Sequence, residues 1–174
     1  MRIADHPAEK AWPRLRADAR CCPLDQFFDQ HVARWAATDT PSLFVEPRNR
    51  DFYHALTRYL SPRSWILFTV VEHNGRPVAF HFGFDYSGAL MWYKPSFDPA
   101  VAAWSPGLVL LRQLIQFAID TRRKELDFTF GDEAFKTRFT NSARRLIRLK
   151  IFRHRMRFEM ERARHAAKVV LGRS

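Results

Sequence analysis

Apolar and polar positions along this chain follow two different periods, and the change falls near residue 61. Before it, Leu24, Phe27, Phe28, His31, Val32 and Trp35 recur at helical spacing and predict an amphipathic helix over residues 23–35. Pro41-Ser42 breaks that pattern. A second helix is expected from Pro47 to Leu60, with Phe52, Leu56, Tyr59 and Leu60 on one side and Ser61-Pro62 as its stop. After it, Trp65 to Val71 is a β-branched and aromatic run, Asn74-Gly75 is a hairpin turn, and Pro77 to Tyr86 alternates as a strand does. Ser87-Gly88 marks another turn, and Ala89 to Tyr93 a third strand. A helix from Pro106 to Thr121 then leads to a fourth strand, Glu125 to Phe130. A helix in that place is a crossover, which lets the third and fourth strands lie parallel. The rest reads as a short helix over Asp132 to Phe139, a fifth strand over Leu146 to Phe152, and a basic helix from His154 to Leu171. The expectation is an α/β domain with a mixed, mostly antiparallel sheet flanked by helices.

Composition bounds this reading. The 174 residues, 47% hydrophobic with 16 Phe and 5 Trp, suit one packed domain and exclude a disordered chain. The net charge of +11 is unevenly placed: residues 144–174 hold eleven Lys and Arg against Glu159 and Glu161, which leaves the rest close to neutral. The domain boundaries expected are a loosely ordered lead-in over 1–22, the folded domain over 23–153, and the basic helix over 154–174. No apolar run reaches the roughly 20 residues that cross a bilayer, and the charged N-terminus lacks a signal-peptide core, so the expected location is cytoplasmic. Cys21 and Cys22 are adjacent and alone, which points to free thiols in a reducing compartment.

Candidate chemistry gathers between Trp104 and Lys136. In Ser105-Pro106-Gly107, proline suits the first helical turn, Ser105 suits the N-cap, and Gly107 has no side chain to hold a ligand off the backbone. The amides of Gly107, Leu108 and Val109 are then candidates to face an anion, against the commoner role of an ordinary capped helix. Asp127 interrupts an apolar strand and so needs a partner, either as a brace for the next loop or within a site. Gly131 permits a tight turn at the strand's end, and Lys136 follows within reach of a phosphate or carboxylate. His81 is a candidate base, with a structural role weighing more. His31 and His54 have no partners at metal spacing, and no nucleophilic triad or dinucleotide glycine pattern occurs.

These segments together resemble a known family. VEHNGRPVAFHFGF, then MWYKPSFDPAVAAWSPGLVLLRQLIQFAI, then ELDFTFGDEAFKTRF are similar to the FemAB-like branch of the GNAT acyltransferases, nearest the acetyltransferases involved in cellulose biosynthesis. The resemblance implies a GNAT fold whose third and fourth strands splay to admit the pantetheine arm of an acyl carrier. It implies acetyl-CoA or another acyl-CoA as cosubstrate, no metal, and an amine acceptor. Ser105, Pro106, Gly107, Leu108 and Val109 would then bind the cofactor's pyrophosphate, while Asp127, Glu133 and Lys136 line or brace the acceptor side as candidate catalytic residues. Phe135 stands where relatives often carry Tyr. Such proteins commonly have two GNAT-like halves, and this chain resembles the second, which implies a homodimer and, as the alternative function, a non-catalytic GNAT-fold partner protein or half of a tandem-GNAT enzyme. Binding of an anionic surface by the basic tail is less favoured, because Phe152, Met156, Phe158 and Met160 draw no clean amphipathic stripe.

Overall fold

The computed structural model describes residues 15–17, 23–131, 133–147 and 149–170. Chain contacts divide it at Gly131 into two compact units, a division that falls inside the 23–153 domain drawn from sequence. Cys21 and Cys22 lie outside the described residues.

The first unit is a five-stranded sheet in the order β1-β2-β3-β4-β5. β1 is Leu15–Ala17, β2 Ile66–His73, β3 Arg76–Tyr86, β4 Ala89–Phe97 and β5 Glu125–Asp127, with helices α1 at Leu24–Trp35, α2 at Pro47–Leu60 and α3 at Pro106–Asp120. The first four strands pair antiparallel; β4 and β5 pair parallel, joined by α3 as the crossover argument requires. β1 was not expected. It arises within the predicted lead-in, where three residues carry too little pattern to stand out, and it forms because β2 offers an edge to Leu15, Arg16 and Ala17.

One face of the sheet is aromatic. Phe27 and Phe28 of α1, Phe44 from the 3-10 turn Leu43–Val45, Tyr53 of α2, and Phe68, Phe80 and Phe82 of the strands form one buried cluster. The rings meet edge-on or tilted, as at Phe28–Phe44 (4.5 Å) and Tyr53–Phe82 (5.0 Å). Each buried phenylalanine contributes about 1.5–3 kcal/mol from area alone, so the helical stripe read from sequence is the anchor of α1. On the other face α3 lays Leu110, Leu111, Leu114 and Ala118 against β2, β3 and β4.

The second unit holds a 3-10 turn at Lys136–Arg138 and helix α4 at Arg155–Val170. The short helix expected over 132–139 is reduced to that turn, Asp132 lying outside the described residues. The fifth strand expected over 146–152 does not form among the described residues. Leu146, Ile147, Leu149 and Ile151 are 74–87% exposed. Alternation makes a strand only where a neighbour completes the hydrogen-bond ladder, and the described residues of this unit contain no other strand. No helix of the described residues is long and apolar enough to cross a membrane.

Candidate active site

The site candidate is built where the ladder between β4 and β5 ends. Their pairing covers Ala89 to Met91 against Glu125 to Asp127 and stops, while β4 runs on to Phe97. β5 is shorter than the run to Phe130 expected from sequence. Asp127 Oδ1 accepts the Thr129 N–H at 2.7 Å, and Thr129 takes a left-handed φ of 58°, which turns the chain out of the strand. Pro95 lies within the continuation of β4. It has no N–H to donate, which a strand paired on one side tolerates and one paired on both does not.

β4 carries a bulge at this point. Phe82 pairs with Lys94 and Phe84 with Met91, so Gly83 alone faces both Trp92 and Tyr93. His81 seats the bulge: its ring stacks on Trp92 (5.0 Å, 13°), and its Nε2 accepts the Tyr93 N–H at 3.3 Å. The ring occupies the space a Cβ on Gly83 would need, at 2.2 and 2.6 Å from that position. Burial lowers the His81 pKa to about 3, against a weaker opposing contact with the Met91 backbone. His81 is therefore neutral and enclosed, a support for the strand rather than a base. On the opposite face the Tyr53 hydroxyl donates to that of Tyr93 at 3.2 Å, and burial holds the Tyr53 phenol above its usual range.

The start of α3 lies beside the continuation of β4: a Cβ on Gly107 would sit 3.4 Å from the Phe97 ring. Ser105 occupies the N-cap position but its hydroxyl makes no capping bond. At φ 54°, ψ 47° it is left-handed, whereas a capping side chain needs extended backbone to aim its oxygen at the first turn. Its carbonyl does the work instead, accepting from Leu108 N (2.9 Å) and Val109 N (3.2 Å). Of the three amides offered to an anion by the sequence, two are thus engaged, and Gly107's remains. Pro106 is buried, fixing the helix start.

The remaining candidates belong to the second unit. Lys136 Nζ meets Glu133 Oε2 at 2.6 Å, and this bond is the main cause that lowers the Glu133 pKa. His31 and His54 have ordinary partners, Ser42 Oγ at 2.8 Å and Asp25 Oδ1 at 3.1 Å. Sequence reasoning passed over Tyr93 and Lys94. The signal was Pro95, which marks the stretch of strand around it as open on one side.

The family model for the acetyltransferase (GNAT) domain matches residues 2–137, and the chain belongs to that family. As a member it is an acyl-CoA-dependent acyltransferase. Among solved structures it is similar to aminoglycoside N-acetyltransferase AAC(6′)-Iy in complex with CoA, at 10% identity and a TM-score of 0.41 over 82% of this chain and 99% of that one. A likeness that weak carries nothing about the site. No curated protein matches the chain.

Proposed function

We propose that this chain moves an acetyl group from acetyl-CoA to an amine, as an acetyltransferase of the FemAB-like branch acting in polysaccharide or cell-envelope synthesis. The observation that carries the reading is the end of the parallel ladder at Met91 and Asp127, with the Thr129 hydroxyl reaching back to the Trp92 carbonyl at 3.3 Å, beside a helix start packed on Phe97. The pantetheine arm enters the gap and its diphosphate lies toward Gly107, whose amide is free to donate. The amine nitrogen attacks the thioester carbon, a C–N bond forms as the C–S bond breaks, and CoA leaves as its thiolate. The proton lost by nitrogen passes to a base, and the thiolate takes one up. Direct aminolysis needs positioning and a base, with no covalent nucleophile.

Asp127 sits at the end of the parallel pair, where ligands of such sheets gather, and shapes the turn that closes the gap. Glu133, held below its ordinary pKa by Lys136, is a weak base and serves by orienting that lysine. A second reading, a protein that works against a partner or a second copy, draws on the exposed Leu146, Ile147, Leu149 and Ile151.

The test is calorimetric titration of acetyl-CoA into wild type and Gly107→Asp. A Cβ at 107 meets only Phe97 at an ordinary 3.4 Å, and an aspartate near a helix start favours the helix itself, so the variant folds. Micromolar binding in wild type, weakened at least about tenfold by the added carboxylate, supports the reading. Folded wild-type protein that binds no acetyl-CoA refutes it.

A further inference from the structure

The second unit sets exposed aliphatic side chains beside unanswered charge. Ile147, Leu149 and Ile151 are 80–87% exposed. Single apolar side chains on a surface are ordinary, but three large ones so close in the chain form a patch. Arg145 and Arg153, both exposed, stand at its two ends. The nearby acids do not neutralise them: Lys150 takes Glu161, and Arg162 takes Glu159 at 3.2 Å. Among the described residues, Arg145, Arg153, Arg155, Arg157 and Arg164 meet no carboxylate.

Two contacts set the way this stretch faces. Lys150 pairs with Glu161 of α4, and the Phe152 ring meets that of Phe158 at 5.9 Å. Those side chains turn toward the helix, while Ile147, Leu149 and Ile151 are left to solvent. Phe158 and Glu161, three residues apart, share one face of α4. Arg157 and Arg164 run along one flank of that face, Arg155 and Arg162 along the other. The cations of the helix thus border the side on which the aliphatic patch lies. The apolar stripe that Phe152, Met156, Phe158 and Met160 fail to draw is supplied by the stretch before α4.

Having both features selects the partner. Single-stranded nucleic acid is held by cations together with free aromatic faces, and here the rings of Phe152 and Phe158 are turned on each other. A second copy would set like charges face to face, since residues 144–174 hold eleven Lys and Arg against two acids. An anionic bilayer answers the whole surface: aliphatic side chains enter below the headgroups, and arginines, with their apolar stems, keep their charge at the phosphates. We infer that Ile147, Leu149 and Ile151, with the arginines beside them, dock this chain on an anionic membrane surface without crossing it. The inference goes beyond the acetyl-transfer reading and does not depend on it.

The experiment is flotation of the full chain with vesicles of phosphatidylcholine, alone or mixed with phosphatidylserine. Wild type favours the anionic vesicles by about tenfold or more, and the preference fades as salt rises to about 0.5 M. Arg145→Gln with Arg153→Gln weakens partitioning by up to about fivefold per charge. Ile147→Ser, Leu149→Ser and Ile151→Ser combined weaken it by at least about tenfold even at low salt. All these side chains are exposed, so the urea midpoint of each variant stays at the wild-type value. Wild type that ignores anionic vesicles overturns the inference. So does a triple variant that binds them as wild type does, because the arginines then act alone as a solvated basic surface. Tighter binding of a DNA strand than of vesicles at matched salt overturns it in favour of nucleic acid. Self-association in sedimentation that the triple variant abolishes overturns it in favour of a second copy.

Discussion

Gly83→Ala tests the account of the bulge most directly. The added Cβ would lie 2.2 Å from His81 Cε1, 2.3 Å from the Met91 carbonyl oxygen and 2.6 Å from His81 Nε2. None can retreat cheaply. The carbonyl is backbone of β4, and the imidazole is held against Trp92 at 5.0 Å with its nitrogen on the Tyr93 amide. Overpacking a well-filled interior costs about 1–3 kcal/mol, and breaking the His81–Tyr93 bond adds about 1 kcal/mol. The expected loss is therefore about 2–4 kcal/mol, a large share of the roughly 5–15 kcal/mol that holds an ordinary domain folded. Urea unfolding followed by tryptophan fluorescence measures it as a midpoint lowered by more than about 1 M, for a slope near 2 kcal/mol/M. Gly75→Ala is the control: nothing lies within 4 Å of its Cβ, so only the positive φ of 74° opposes it, at about 1 kcal/mol. Adding His81→Ala to Gly83→Ala removes the ring but leaves the carbonyl clash, so stability does not return. A Gly83→Ala midpoint no lower than that of Gly75→Ala would refute the reasoning.

Two further predictions concern buried polar groups. Burial is the main cause that lowers His31 to about 4 and His81 to about 3, from 6.5. As pH falls below 6.5 the unfolded chain takes up protons that the folded chain refuses, so stability is present above that value and lost on acidification. The slope is about 1.4 kcal/mol per pH unit for each histidine, or up to ~5 kcal/mol in all between pH 6.5 and about 4.5. Urea-derived stabilities that stay flat over that range would contradict it, and His81→Gln should halve the slope. Thr69 is fully buried opposite His81, and its hydroxyl has no hydrogen-bond partner. Thr69→Val keeps the branched shape and removes the stranded hydroxyl, so it should raise stability by about 1 kcal/mol; a lowered thermal midpoint would show that the hydroxyl is satisfied after all.

Much of the fold was legible because local pattern and tertiary role agree. The stripe through Phe27, Phe28 and His31 is helical whatever it packs on, and Asn74-Gly75 turns a hairpin through the positive φ of both residues. The run from Pro47 to Leu60 became a helix with those ends. Where pattern misled, a partner decided. Ile147, Leu149 and Ile151 alternate as a strand would, yet a strand exists only against a neighbour. Leu15–Ala17 shows the reverse: three unremarkable residues pair because β2 presents an edge.

The sequence by itself determined the order of elements from α1 to β5, the crossover that makes β4 and β5 parallel, and the helix start at Pro106, since these depend on residues close together in the chain. It also singled out Asp127 and Gly107 as candidates without assigning either a role. Only the tertiary structure decided that the Ser105 carbonyl, not its hydroxyl, closes the first turn, because backbone φ and ψ aim those atoms. It alone decided that His81 is a buried prop for the bulge, and that Arg34 of α1 lies over the ring of Phe97, sixty-three residues further along the chain. Burial, register and the meeting of distant charges are properties of the packed chain, and no local pattern of residues carries them.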